Sequence, residues 1–166
     1  MAILPITVLG QPILRQETTR VPAVTDELRR LADDMIETMR AAEGVGLAAP
    51  QVGRSEALCV VEVGEQLFTL FNPEIIERKG KIKWEEGCLS IPDYYEEVER
   101  PAAVKLRYMD LDGTTRELSA DGLLATCVQH EIDHLDGVLF IDHLSRLKRE
   151  RVTKKFAKAA KRERAA

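Results

Sequence analysis

DGLLATCVQHEIDHLDG, residues 121–137, decides the architecture. Leu123, Leu124, Cys127 and Val128 recur at helical spacing, Ser119 or Asp121 stands where an N-cap belongs, and Gly137 stands where the helix should stop. Before it the pattern is β-rich: ALCVVEV (57–63), QLFTLFNP (66–73), EIIERKGKIKWEE (74–86), then AVKLRYMD (103–110) and TTRELSA (114–120), a hairpin turned at Asp112 and Gly113. Successive strands with no helix between them favour antiparallel pairing. Two further helices flank this core. In TDELRRLADDMIETMRAAEG (25–44), Leu28, Leu31, Met35, Met39 and Ala42 line one face, with Thr25 as N-cap and Gly44 past the end. The last begins near Leu144, with Leu147, Val152, Phe156 and Ala160 as its apolar face. The spacing predicts an α+β fold: antiparallel sheets packed around the 121–137 helix, with an N-terminal and a C-terminal helix.

At 166 residues, without a repeat or a low-complexity linker, residues 1–166 are expected to form a single domain. No apolar run approaches the roughly 18 residues that mark a membrane span, so no membrane-spanning helix is expected. MAILPITVLG lacks a basic leader and carries Pro5, so it reads as an early strand or tucked arm, and the expected compartment is the cytoplasm. Cys59, Cys88 and Cys127 form no even-numbered disulfide framework, so each is either core or a functional thiol. The formal charge of −4 conceals a split, because residues 144–166 hold ten Lys or Arg and two Glu. Such a basic segment on an acidic body is a solvated helix face or a contact for nucleic acid.

Within QHEIDH, residues 129–134, the histidines are four apart. On a helix that separation is about 40° around the axis and about 6 Å along it, so His130 and His134 can converge on one ion. Glu131 stands on the flank of that face, as in H-E-x-x-H sites where the carboxylate is the general base. Asp133 or Asp136 is placed to orient an imidazole through its other nitrogen. A third ligand must come from elsewhere. Cys127 is seven residues from His134, about 10.5 Å along the axis, too far for a shared tetrahedral site. It is better placed as a core or pocket-wall residue, and Cys59, inside an apolar strand, as core. Cys88, His143 and an acidic residue remain open.

Cys88 lies in EEGCLSIP (85–92), where Gly87 permits close approach, Leu89 has an amide to offer and Pro92 ends the run. GVGLAAPQVG (44–53) has Gly44 and Gly46, which make room for a neighbouring backbone, and Pro50 fixes the chain before Gln51. It is no phosphate loop, since no Lys-Ser/Thr pair follows.

Together GVGLAAPQ, EGCLS and QHEIDHLDG resemble the three motifs of the peptide deformylases, in the same order. The likeness runs from ITVLGQPILR to the helix after LFIDHLS, and is greatest to the bacterial type with a C-terminal helix. The resemblance implies a hydrolase that removes the N-terminal formyl group from formylmethionine of nascent polypeptides and releases formate. It implies Cys88, His130 and His134 as ligands of one divalent metal, which decides against His143. Fe2+ is typical of the family, and Zn2+, Ni2+ or Co2+ suit the same donors. Metal-activated water would attack the formyl carbon, with Glu131 as general base and then acid. Gln51 and the Leu89 N–H would meet the oxyanion. The peptide would pair beside Gly46, and Val45, Trp84, Leu123 and Cys127 would line the pocket for the methionine side chain. Some members carry an arginine soon after GCLSxP where this chain reads DYYEEVERP, which leaves Tyr94, Tyr95 and Arg100 open as peptide contacts. The C-terminal helix would dock on ribosomal RNA. Neither DNA nor a membrane is an expected partner.

Overall fold

The computed structural model describes residues 2–165, with side-chain surroundings for residues 2–159. Helix α1 (Asp26–Ala41) is followed by β1 (Gly46–Ala48), β2 (Leu58–Val63), β3 (Gln66–Lys79), β4 (Ile82–Cys88), β5 (Ile91–Arg100), β6 (Ala103–Met109) and β7 (Thr115–Asp121). Helices α2 (Gly122–Leu135) and α3 (Arg146–Ala165) complete it. The strands form a five-stranded antiparallel sheet, ordered β1-β2-β3-β6-β7, and a separate β4-β5 hairpin. This is the expected α+β architecture.

Strand alternation explains why β2 is apolar on both faces. Leu58 and Val60 point towards α1 and pack with Leu31, Met35, Met39 and Phe71. Cys59 and Val61 point the other way, into a core shared with Ala125, Val128, Ile132 and Leu135 of α2. Helix α2 is thus enclosed: from Ala125 to Leu135 only Asp133 escapes full burial. A third core joins Ile91 and Val98 of the hairpin to Leu9, Leu14, Phe140, Ile141 and Val152. Among the described residues, no helix is long and apolar enough to cross a membrane.

Several boundaries differ from expectation for physical reasons. QLFTLFNP and EIIERK fuse into one strand, β3, whose register shifts beyond Phe71, where Asn72 adopts φ 51°; the break comes at Gly80, φ 68°. Pro92 does not end a run but lies near the start of β5. Glu43 (φ 57°), not Gly44, takes the left-handed position after α1, and the Gly44 N–H donates back to Met39 O at 2.9 Å. Thr25 caps α1 as expected, its hydroxyl accepting from the Leu28 N–H. Asp121 is the residue before α2 but makes no side-chain cap, and Ser119 lies inside β7. On α3, Val152 is buried and Phe156 half-buried, whereas Leu147, expected on the apolar face, is 59% exposed. The side chain of Ala160 lies outside the described residues.

Candidate metal centre

Burying histidines and carboxylates is costly unless each polar atom finds a partner. Nevertheless, α2 carries His130, Glu131 and His134 into the interior at 8%, 5% and 1% exposure. The two imidazoles converge, with Nε2 atoms 3.2 Å apart. Cys88, the last residue of β4, approaches from the hairpin and brings Sγ to 3.4 Å from His134 Nε2. All three donor atoms lie within 4.8 Å of one another. A tetrahedral divalent ion with nitrogen ligands at about 2.05 Å and a thiolate at about 2.3 Å requires N–N and N–S separations of about 3.3 and 3.6 Å. The 3.2 and 3.4 Å spacings are close to those edges, so the donors fit such an ion.

Outer partners hold this cluster in place. His130 Nδ1 lies 3.0 Å from Glu86 Oε1, which leaves Nε2 facing Cys88 and His134. Glu86 accepts two bonds from Arg100, at 2.6 and 3.0 Å, and Arg100 also donates to Asp133 Oδ2 at 2.8 Å. With 4% of its side chain exposed, Arg100 braces the interior. Asp133 orients neither ligand; its other neighbour is His143, 2.9 Å away and outside the donor cluster. Asp136 is likewise outside it.

Burial pushes His134 well below its ordinary pKa, and the His130 charge adds to that, so His134 presents a neutral imidazole. Burial also pushes His130 down, but Glu131, Cys88 and Glu86 together more than offset it and raise it well above the ordinary imidazole range. Glu131 Oε1 is buried without a partner, and burial raises its carboxyl to about 7, against the pull of His130. That value suits a group that takes and returns a proton near neutrality.

In GVGLAAPQVG, Gly44 and Gly46 make room for side chains as well. A Cβ on Gly46 would overlap Glu131 Oε2, and one on Gly44 would lie 2.8 Å from Leu89 Cδ1. Gln51, 1% exposed, sits in a short 3-10 helix, Ala49–Val52. Its Oε1 accepts from the Ala48 N–H at 2.9 Å, which turns Nε2 towards Cys88 Sγ, 3.6 Å away. Leu89 follows Cys88 in the turn between β4 and β5. A cavity of about 410 Å³ opens onto this group. Val45, Gly46, Trp84, Leu123 and Cys127 line it, as do Gln51, Cys88, Leu89, His130 and Glu131. Tyr95 is at the mouth, 63% exposed, whereas Tyr94 packs on Phe140 with ring centroids 6.0 Å apart.

A family model described as polypeptide deformylase matches residues 3–150. The chain belongs to the polypeptide deformylase family. It is therefore an enzyme, from a family of metalloenzymes, and its described residues include a group that could hold a metal ion. Peptide deformylases of Mesorhizobium japonicum and Agrobacterium fabrum are 53% and 54% identical to it over 167 residues, which is 97% of this chain in both cases and 95% and 98% of theirs. The crystal structure of peptide deformylase from Ehrlichia chaffeensis superposes with a TM-score of 0.93 at 35% identity, over 98% of this chain and 99% of that one. A second structure from that organism, in complex with actinonin, also gives a TM-score of 0.93, at 37% identity over 96% and 98% of the two chains.

Two deformylase residues in this site, Glu86 and Arg100, carry no signal in the sequence as partners of a ligand. In the β4-β5 register Glu86 faces Glu96 and Arg100 faces Ile82, so the buried pair forms diagonally across the hairpin.

Proposed function

We propose that the whole chain, residues 1–166, acts as one deformylase domain that hydrolyses the formamide C–N bond of formylmethionyl peptides, giving formate and a free amine. The observation that supports this reading best is the meeting of Cys88, His130 and His134 beside Gln51 and Glu131 on the wall of one cavity. The Ehrlichia chaffeensis relative has been crystallised in complex with actinonin, which supports a ligand-binding site on this fold.

Cys88, His130 and His134 would hold one divalent ion, with Fe2+ favoured by the family and Zn2+, Ni2+ or Co2+ compatible with the donors. When bound, that ion supplies Lewis acidity to the formyl carbonyl and makes water easier to deprotonate. Glu131 takes the proton from the attacking water and passes it to the departing amine as the C–N bond breaks. Negative charge gathering on the formyl oxygen is met by the Gln51 carboxamide and the Leu89 N–H, fixed before the substrate arrives. β1 lies at the edge of its sheet, so a peptide can add beside Gly46 as a further strand. Val45, Trp84, Leu123 and Cys127 offer the methionine side chain an apolar wall. Pairing through backbone alone leaves the later residues of the peptide free to vary. Helix α3, with Arg146, Lys148, Arg151, Lys154, Lys155 and Lys158 exposed, presents a basic face to ribosomal RNA.

Glu131→Gln tests the proton transfer. The variant is expected to bind metal stoichiometrically yet release formate at least about 100-fold more slowly than the wild type. Full activity in the variant would remove Glu131 from the mechanism.

A further inference from the structure

The carboxamide of Gln51 is held from both ends. Its Oε1 faces the Ala48 N–H, a group that can only donate, which fixes the orientation of the amide. Nε2 donates to Ser90 Oγ at 3.1 Å, and Ser90 is fully buried. An amide nitrogen has two hydrogens, so the bond to Ser90 directs the second one towards the Cys88 side of the cleft. The segments carrying Gln51 and Ser90 are not paired to each other as strands; both are tied to the N-terminal arm. The Thr7 N–H donates to Gln51 O at 2.7 Å, Thr7 Oγ1 donates to Pro50 O at 3.0 Å, and the Leu9 N–H donates to Ser90 O at 2.8 Å. Within three residues the arm stitches one donor-bearing segment to the other.

We infer that Ser90 and Thr7 are positioning residues for the reaction: Ser90 aims the Gln51 amide, and the arm fixes the distance between the Gln51 and Leu89–Ser90 segments. This rests on the reading of Gln51 as an oxyanion donor. Neither residue touches substrate. Both act by keeping a donor where charge develops, an arrangement in which errors of about 1 Å can cost about 100-fold in rate.

The test uses full-length, metal-loaded protein and measures kcat and KM on a formyl-Met peptide, together with metal stoichiometry. The variants are Ser90→Ala, Gln51→Ala, the double variant, Thr7→Val and Thr7→Ser. Ser90→Ala is expected to lower kcat about 10-fold, part of the 100- to 1,000-fold carried by a whole donor, with KM and metal content unchanged. In the Gln51→Ala background the same change should cost nothing further, because Ser90 works through Gln51. Thr7→Val should lower kcat about threefold and Thr7→Ser should restore it; this pair decides if Ser90→Ala fails to fold. The inference is overturned if Ser90→Ala keeps kcat within twofold while Gln51→Ala is impaired, or if it costs the same factor in both backgrounds. Full kcat in Gln51→Ala would instead bring down the oxyanion reading, and this inference with it.

Discussion

Replacing Gly46 with alanine adds one methyl group, and the structure specifies where it goes. The new Cβ would overlap Glu131 Oε2 and lie 2.8 and 2.9 Å from Glu131 Cδ and Cγ. Ordinary carbon contacts begin near 3.5 Å, so the carboxylate must retreat by about 0.7 to 1 Å. The Gly46 backbone is no obstacle, since it is absent from the left-handed residues. The displaced group is the end of a side chain whose Oε1 has no partner, so the shift should cost chemistry much more than stability. A general base moved by about 1 Å loses about 100-fold in rate. The expected result for Gly46→Ala is therefore a kcat about 100-fold lower for formate release, with full metal content and a Tm within a few degrees of wild type. A kcat within threefold of wild type, at equal metal content, would refute the placement of Glu131 against the glycine.

Arg100→Leu leaves Glu86 and Asp133 without their shared partner in the interior, and should cost about 3 to 5 kcal/mol, visible as a Tm lower by roughly 10 °C. Iodoacetamide at pH 8 should leave Cys59 and Cys127 unmodified in the folded protein. Burial pushes both thiols up, Cys127 to about 12, so neither forms appreciable thiolate at that pH; peptide mapping of the labelled protein checks it. Reversing Lys154, Lys155 and Lys158 to Glu should weaken ribosome binding and flatten its salt dependence, while activity on short formyl peptides stays unchanged. These exposed lysines are a better target than a truncation, because Val152 is core.

Much of the fold was legible in local sequence. The periodicity of α1, the ALCVVEV run and the hairpin turned at Asp112 and Gly113 each obeys a short-range rule, and each stands as expected. So does the convergence of His130 and His134, because four helical residues fix their separation. What local rules could not give was the role of groups that meet only through tertiary pairing. The sequence leaves Arg100 open as a peptide contact, and the fold draws it inside between the carboxylates of Glu86 and Asp133. Gly44 looked like a helix terminator, but its missing side chain serves Leu89, and Glu43 bears the left-handed turn. Leu147 fits the period of an apolar stripe and is exposed, since α3 leans on the body through Val152 and Phe156. The family match ends at residue 150, so most of α3 lies beyond the segment it covers.

The most direct test is product identification with anaerobically purified, iron-loaded protein. Incubated with formyl-Met-Ala-Ser and, separately, with a peptide offering only internal amide bonds, the enzyme should release one formate per formyl peptide and leave the second peptide intact. Absence of formate together with cleavage of the internal amides would contradict the account.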